Sequence, residues 1–251
     1  MRSPSRARHP LAAAAAVALL LVGAPSALAA RSTFSGSISP DRGPVGTPLR
    51  LRLRFTIDPV GGPNPATLTR VEMWFPPNAR VNGHLFPTCS AAAINARQNF
   101  SACPKGSLIG RAKGRADTPP VDVYNVPVRF TLFNAPRGGI TVHVYAENPI
   151  LVNRAFEARL IRTRGTYGYR LDARVPVDLQ DINYPGGGYW VGLRSFDSTV
   201  GITRVVRGKR RGYIESTTLC PKSGRVPIRA KFTFLRGHAP STSSGAIRCR
   251  R

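Results

Sequence analysis

The sequence predicts an all-β protein: one antiparallel β-sandwich of about ten strands, or two small sandwiches, behind a cleaved signal peptide. Three observations carry that expectation. Apolar and polar residues alternate with a period of two repeatedly along the chain beyond residue 30. Glycine and proline contribute 24 and 23 of the 251 residues, which suits many short elements separated by turns. Four cysteines form an even set, the pattern of a disulfide framework in an exported chain. The same composition excludes a collagen repeat, a coiled coil and a disordered basic tail.

The first element is a leader over residues 1–29. Arg2, Arg6 and Arg8 supply a positive start, Leu11 to Val22 is an unbroken apolar run, and Ala27-Leu28-Ala29 offers small residues to a signal peptidase. The run is shorter than the roughly 20 residues that span a bilayer. No Arg-Arg pair or early cysteine diverts it to twin-arginine export or lipidation. Cleavage removes three cations and no acid from a formal net charge of +25. No second apolar span follows, so the expected mature chain has no transmembrane segment.

Residues 30–251 form the expected domain. Its clearest strand alternates Leu49, Leu51, Leu53, Phe55 and Ile57 with Arg50, Arg52, Arg54 and Thr56, so one face is apolar and the other cationic. Val128, Phe130 and Leu132 alternate with Arg129 and Thr131. Leu171, Ala173 and Val175 alternate with Arg170, Asp172 and Arg174, and Ile228, Ala230, Phe232 and Phe234 with Arg229, Lys231 and Thr233. Shorter alternations cover residues 33–39, 67–75, 107–115, 140–146, 155–162, 198–206 and 213–219. Turn signals stand at Pro40–Gly43, Val60–Pro63, Pro136–Gly139 and Gly208–Gly212. One helix is expected, from Ala91 to Arg97, and Thr118-Pro119-Pro120 marks a sub-boundary near 118–121 if the chain makes two sandwiches.

Local pairing, Cys89 with Cys103 and Cys220 with Cys249, is the expected connectivity because each pair lies within one short stretch. Structural zinc sites hold cysteines in close C-x₂₋₄-C pairs, a spacing absent here, so no metal is assigned. Phe86-Pro87-Thr88-Cys89, Cys103-Pro104-Lys105-Gly106-Ser107-Leu108-Ile109-Gly110 and the late Cys220-Pro221…Cys249 resemble a group of uncharacterised exported β-rich proteins of high-GC actinobacteria. The resemblance implies export and a β-rich fold, and no activity.

Catalytic signatures are absent: there is no G-x-S-x-G, no H-E-x-x-H, no phosphate loop and no dinucleotide glycine pattern. No cofactor is expected. His143, Tyr145 and Glu147 share one strand face, where a histidine beside a carboxylate suits acid–base work if that face lines a cleft. A solvated sheet face is the plainer account. Asp178 and Asp181 are the closest pair of acids near a loop, and a carbohydrate hydrolase would need two carboxyl groups about 5–10 Å apart. Tyr184, Tyr189 and Trp190 flank a glycine run, where exposed rings would stack on sugars or bases and buried ones would cap a core.

Charge is the strongest functional clue. All but five of the 37 cations are arginine. Arg50, Arg52 and Arg54 project from one strand face, and Arg207, Lys209, Arg210 and Arg211 crowd a glycine-bounded turn. Such surfaces bind polyanions by counterion release. Export makes the expected partners anionic envelope or extracellular polymers, and no module for specific nucleic-acid recognition is present. The sequence reads as a non-enzymatic β-domain, with a secreted carbohydrate hydrolase as the alternative.

Overall fold

The computed structural model describes residues 28–58, 65–184, 187–235 and 238–251. The body of the expected leader (residues 1–27) and the turn at Val60–Pro63 lie outside the described residues, as do the side chains of residues 28, 29, 183, 184 and 187.

The protein is an all-β, antiparallel sandwich. Eleven strands of six or more residues build it among the described residues: β1 (Arg31–Ser39), β2 (Pro48–Asp58), β3 (Leu68–Phe75), β4 (Leu108–Thr118), β5 (Val123–Ala135), β6 (Gly139–Ala146), β7 (Val152–Arg162), β8 (Tyr169–Arg174), β9 (Gly192–Val200), β10 (Arg225–Phe234) and β11 (Ser241–Arg248). They join in one sheet in the order β11-β10-β3-β8-β7-β6-β5-β4-β9-β2-β1, and the short segments Ile214–Ser216 and Ala79–Val81 extend it from the start of β2. Pro119–Val121 is a 3₁₀ turn between the paired strands β4 and β5, so one ladder runs across that point.

The sheet folds over until its two edges meet. Ser32 Oγ on β1 lies 2.7 Å from Ser241 Oγ at the start of β11. No backbone ladder joins β1 to β11. Gly36 permits this approach, because a Cβ there would stand 3.0 Å from both Ile228 and Ile247.

Alternation decides which residues face inward. Along β2, Leu53, Phe55 and Ile57 are buried and Arg52, Arg54 and Thr56 exposed, the pattern of a strand with one wet face. Aromatic rings knit the interior. Phe232 on β10 packs on Phe55 at 5.0 Å, Phe55 stacks on Phe196 of β9 at 5.1 Å, and Phe196 meets Phe130 of β5 edge-on at 5.1 Å. Burying each such side chain stabilises the fold by about 1.5–3 kcal/mol. Leu51, Leu193 and Phe196 touch both main clusters of buried residues, so the interior is continuous.

The expected helix forms as α1 (Ala91–Arg97), with Ser90 Oγ accepting from the Ala93 N–H at 3.2 Å and Gln98 closing it in the left-handed region. Several elements differ from the sequence reading: a second short helix forms at Val177–Gln180, the strand expected at residues 213–219 shortens to Ile214–Ser216, and short strands form at Ala79–Val81, Asp181–Tyr184 and Gly187–Trp190, where none is expected. The apolar stretch expected at residues 198–206 divides into the end of β9 and a separate hairpin strand, Thr203–Val206. The Ser-rich end forms β11, an edge strand whose one fully buried side chain is Ile247, a pattern with too few apolar positions to show as alternation.

Candidate functional site: a cationic sheet face

Register across β2, β9, β4 and β5 assembles a basic surface from strands distant in sequence. In antiparallel pairs, opposed residues point to the same face. Arg52 opposes Thr199, which opposes Arg111, which opposes Thr131. In the next row Arg54 opposes Asp197, which opposes Lys113, which opposes Arg129. Arg50 precedes the first row on β2, and Arg115 continues the pattern on β4. All seven cations are exposed. The strands stand about 4.8 Å apart, so neighbouring cations in a row lie within reach of successive charges on a flexible polyanion.

Asp197 is the acid set within this surface. Arg52 grips it with two bonds, Nε to Oδ1 at 2.8 Å and Nη2 to Oδ2 at 2.6 Å, and Arg54 Nε reaches Oδ2 at 3.0 Å. The hydrogen bond from Arg52 does most to hold the Asp197 carboxyl below its ordinary range, against the opposing effect of partial burial. At the margin, Arg129 Nη2 pairs with Glu147 Oε1 at 3.0 Å. Arg50, Arg111 and Lys113 have no ion-pair partner among the described residues, and Arg115 Nη1 donates to the Asn125 carbonyl at 3.0 Å.

The second expected cluster sits on the hairpin of Thr203–Val206 and Lys209–Gly212. Arg207 and Gly208 form its tip at φ +49° and +73°, the left-handed pair that a tight hairpin turn requires. Arg207, Lys209 and Arg210 are exposed. Arg211 instead points to buried Glu215, so it serves the fold. Gly212 packs against Pro48, which sets the hairpin beside the start of β2 and its Arg50.

The candidate catalytic residues occupy separate settings. His143 lies on the outer side of β6 and is 3% exposed, because α1 and its disulfide loop cover that patch. The plainer reading of a solvated face fails at this residue. His143 Nε2 lies 2.7 Å from Asn153 Oδ1, and Phe100 meets the ring edge-on at 5.6 Å. Glu147 is exposed beyond the end of β6, where it accepts from Tyr145 Oη at 2.8 Å as well as from Arg129. Asp178 pairs with Arg154 at 2.5 Å. Asp181 stands on the Asp181–Tyr184 strand opposite Trp190. Glu147 and Asp178 are thus engaged by arginine or tyrosine side chains and do not face each other across a cleft. Among the described residues no three His, Cys, Asp or Glu side chains cluster as a metal site.

In the aromatic lead, Trp190 is 39% exposed and Tyr189 half-buried, while the side chain of Tyr184 lies outside the described residues. The disulfides are those expected from proximity: Cys89–Cys103 with Cα atoms 5.2 Å apart and Cys220–Cys249 at 5.7 Å. No helix among the described residues is long and apolar enough to cross a membrane.

Sequence reasoning named Arg50, Arg52 and Arg54 for this surface but missed Arg129 and the run Arg111, Lys113 and Arg115 on β4. For that run, alternation with Ala112 and Gly114 was the available signal. Comparison of the chain with known protein families, with curated proteins and with solved structures gave no match.

Proposed function

We propose that the protein is an exported, non-enzymatic β-sandwich that associates electrostatically with anionic polymers of the cell envelope or the extracellular space. One observation carries the reading: seven exposed cations from β2, β4 and β5 share a face with Asp197 as the acid among them. Such a face recognises repeating negative charge and little else, since counterion release is indifferent to the order of groups along the polymer. The leader-like N-terminus and two disulfides support an oxidising, extracytoplasmic setting. The resemblance of the cysteine-bearing motifs to exported actinobacterial proteins points the same way.

The test is binding of the full chain to long-chain polyphosphate and to an acidic glycan across a salt series. The expected result is affinity that falls linearly on logarithmic axes, with a shallower slope for the R111A/K113A double variant. Salt-independent binding, or a slope that the double variant leaves unchanged, overturns the proposal.

A further inference from the structure

The interior of the sandwich is not filled. A cavity of about 210 Å³ lies among β3, β5, β6, β8 and β9, walled by side chains such as Val71, Met73, Val128, Val142, Ala173 and Phe196. A second, of about 160 Å³, lies towards the loops at residues 40–47 and 216–221. Leu53, Ile140, Leu171 and Val200 line both, so the two adjoin at that waist.

The burial pattern of β6 reflects the same space. Ile140 and Val142 point inward on β6 yet keep accessible surface, whereas Thr141 and His143 on the outer side are 0% and 3% exposed. Protein interiors are normally packed like organic crystals, with few voids larger than a water molecule. An apolar void forfeits the dispersion contacts of every atom lining it. Water is a poor occupant, because it needs two to four polar partners; an apolar cavity of about 150 Å³ stays dry and takes up benzene. The fitting occupant is hydrocarbon.

The two ends differ. The larger cavity is walled by apolar side chains almost throughout, while the smaller one reaches a polar rim that includes Asp41, Arg42, Thr218 and Arg250. Arg250 is tied to Asp41 at 3.1 Å, but Arg42 is exposed with no ion-pair partner among the described residues. Beside this rim stand two exposed apolar side chains, Val45 at 59% and Leu219 at 60%. Gly46 N–H donates to the Ser216 carbonyl at 2.9 Å, which holds their two loops together. An acyl tail thus has an apolar threshold to cross and a cation beside the entrance for its head.

We propose that the sandwich binds a single-chain anionic amphiphile, with the alkyl tail in the paired cavities and the acidic head at Arg42. The site is separate from the cationic face, and its affinity rests on the buried tail.

The experiment is calorimetric titration of the delipidated full chain with saturated fatty acids of increasing length, at high salt so that surface polyanion binding is screened. Saturable binding is expected, strengthening by about fourfold per added methylene until the cavities are full. Parallel titrations with lysophosphatidic acid and with a fatty alcohol of equal chain length separate a phosphate head from a carboxylate and from an uncharged one. R42E is expected to weaken both anionic ligands severalfold and to leave the alcohol unchanged; affinity for both anions unchanged in R42E overturns the placement of the head. Ala173→Phe fills the larger cavity, and the expected result is at least a tenfold loss of affinity with an unchanged or higher melting temperature. If A173F does not fold, Ala146→Leu fills the same cavity more gently and carries the same expectation. Absence of saturable binding by any chain length overturns the proposal, as does affinity unchanged in a folded cavity-filling variant. Loss of polyphosphate binding in R111A/K113A with fatty-acid binding intact would show the two sites to be independent.

Discussion

Arg211 closes a two-bond ion pair on Glu215, Nε to Oε1 at 2.8 Å and Nη2 to Oε2 at 3.0 Å, and so commits one half-exposed arginine of the basic hairpin to the fold. Glu215 is 1% exposed and also receives Arg80 Nη2 at 2.9 Å and the Gly212 N–H at 2.9 Å. The group fastens the Ile214–Ser216 segment, Ala79–Val81 and the base of the hairpin to one another.

Acid should loosen this lock. Burial alone would raise the Glu215 carboxyl, but the bonds from Arg211, Arg80, the Gly212 N–H and Asn82 outweigh it and hold the group at about 2, below its ordinary 4.5. A carboxylate depressed on folding contributes stability that is whole above about pH 4.5 and lost as pH falls towards 2. Asp172, held down chiefly by its hydrogen bond from Arg70, acts in the same direction. Thermal melting followed from pH 7 to pH 2 should show the loss in that window. Glu215→Gln should melt lower at pH 7, by about 2–3 kcal/mol of stability, and show a smaller drop across the same window. An equal drop in both proteins would remove Glu215 from the account.

Asp197 should restrain polyanion binding. Its two arginines are committed to it at neutral pH. Asp197→Asn frees Arg52 and Arg54, and the expected outcome is tighter polyphosphate binding with a steeper salt slope. Exposed ion pairs contribute little to folding, so the melting temperature should move only slightly. A variant that loses stability and gains no affinity would mark Asp197 as a purely structural residue.

The cap over His143 should depend on the first disulfide. Asn95 on α1 clasps the β7 backbone from both sides, Nδ2 to the Ala155 carbonyl at 2.9 Å and Oδ1 to the Ala155 N–H at 2.8 Å. Replacing Cys89 and Cys103 by serine should cost about 3 kcal/mol by releasing a short loop in the unfolded chain. Hydrogen exchange should then quicken at Ala155 and spare β10, where Phe232 and Ile228 remain fully buried. Uniform acceleration would mean that the disulfide supports the whole sandwich.

The seam between the sheet edges should be sensitive at Gly36. A larger side chain there meets Ile228 and Ile247 within the core. Gly36→Leu should destabilise by about 1–3 kcal/mol through overpacking. The neighbouring Ser37→Leu, on the exposed face of β1, should change stability much less. Chemical denaturation of the two variants makes the comparison, and equal stabilities would mean that the seam yields freely.

Local periodicity explains what was readable in advance. Side chains alternate across a strand whatever lies beside it, so Leu53 and Phe55 could be placed inside and Arg52 and Arg54 outside from β2 alone. The helix at Ala91–Arg97 is equally local, resting on Ser90 as its cap. Short loops made both cysteine pairings the near choice, and the structure contains both. β11 escaped notice because its ladder with β10 carries it while its own apolar content is small.

What the sequence by itself determined, then, is an all-β chain with its apolar and cationic faces already assigned and its disulfides paired by proximity. Only the tertiary structure decided which strands become neighbours. That choice sets Arg111 and Lys113 in rows with Arg52 and Arg54, hides His143 beneath α1, sends Arg211 inward to Glu215 and leaves apolar space between the layers. The physical reason is range: a two-residue period is written into any strand, whereas strand order and register depend on contacts between residues far apart in the chain.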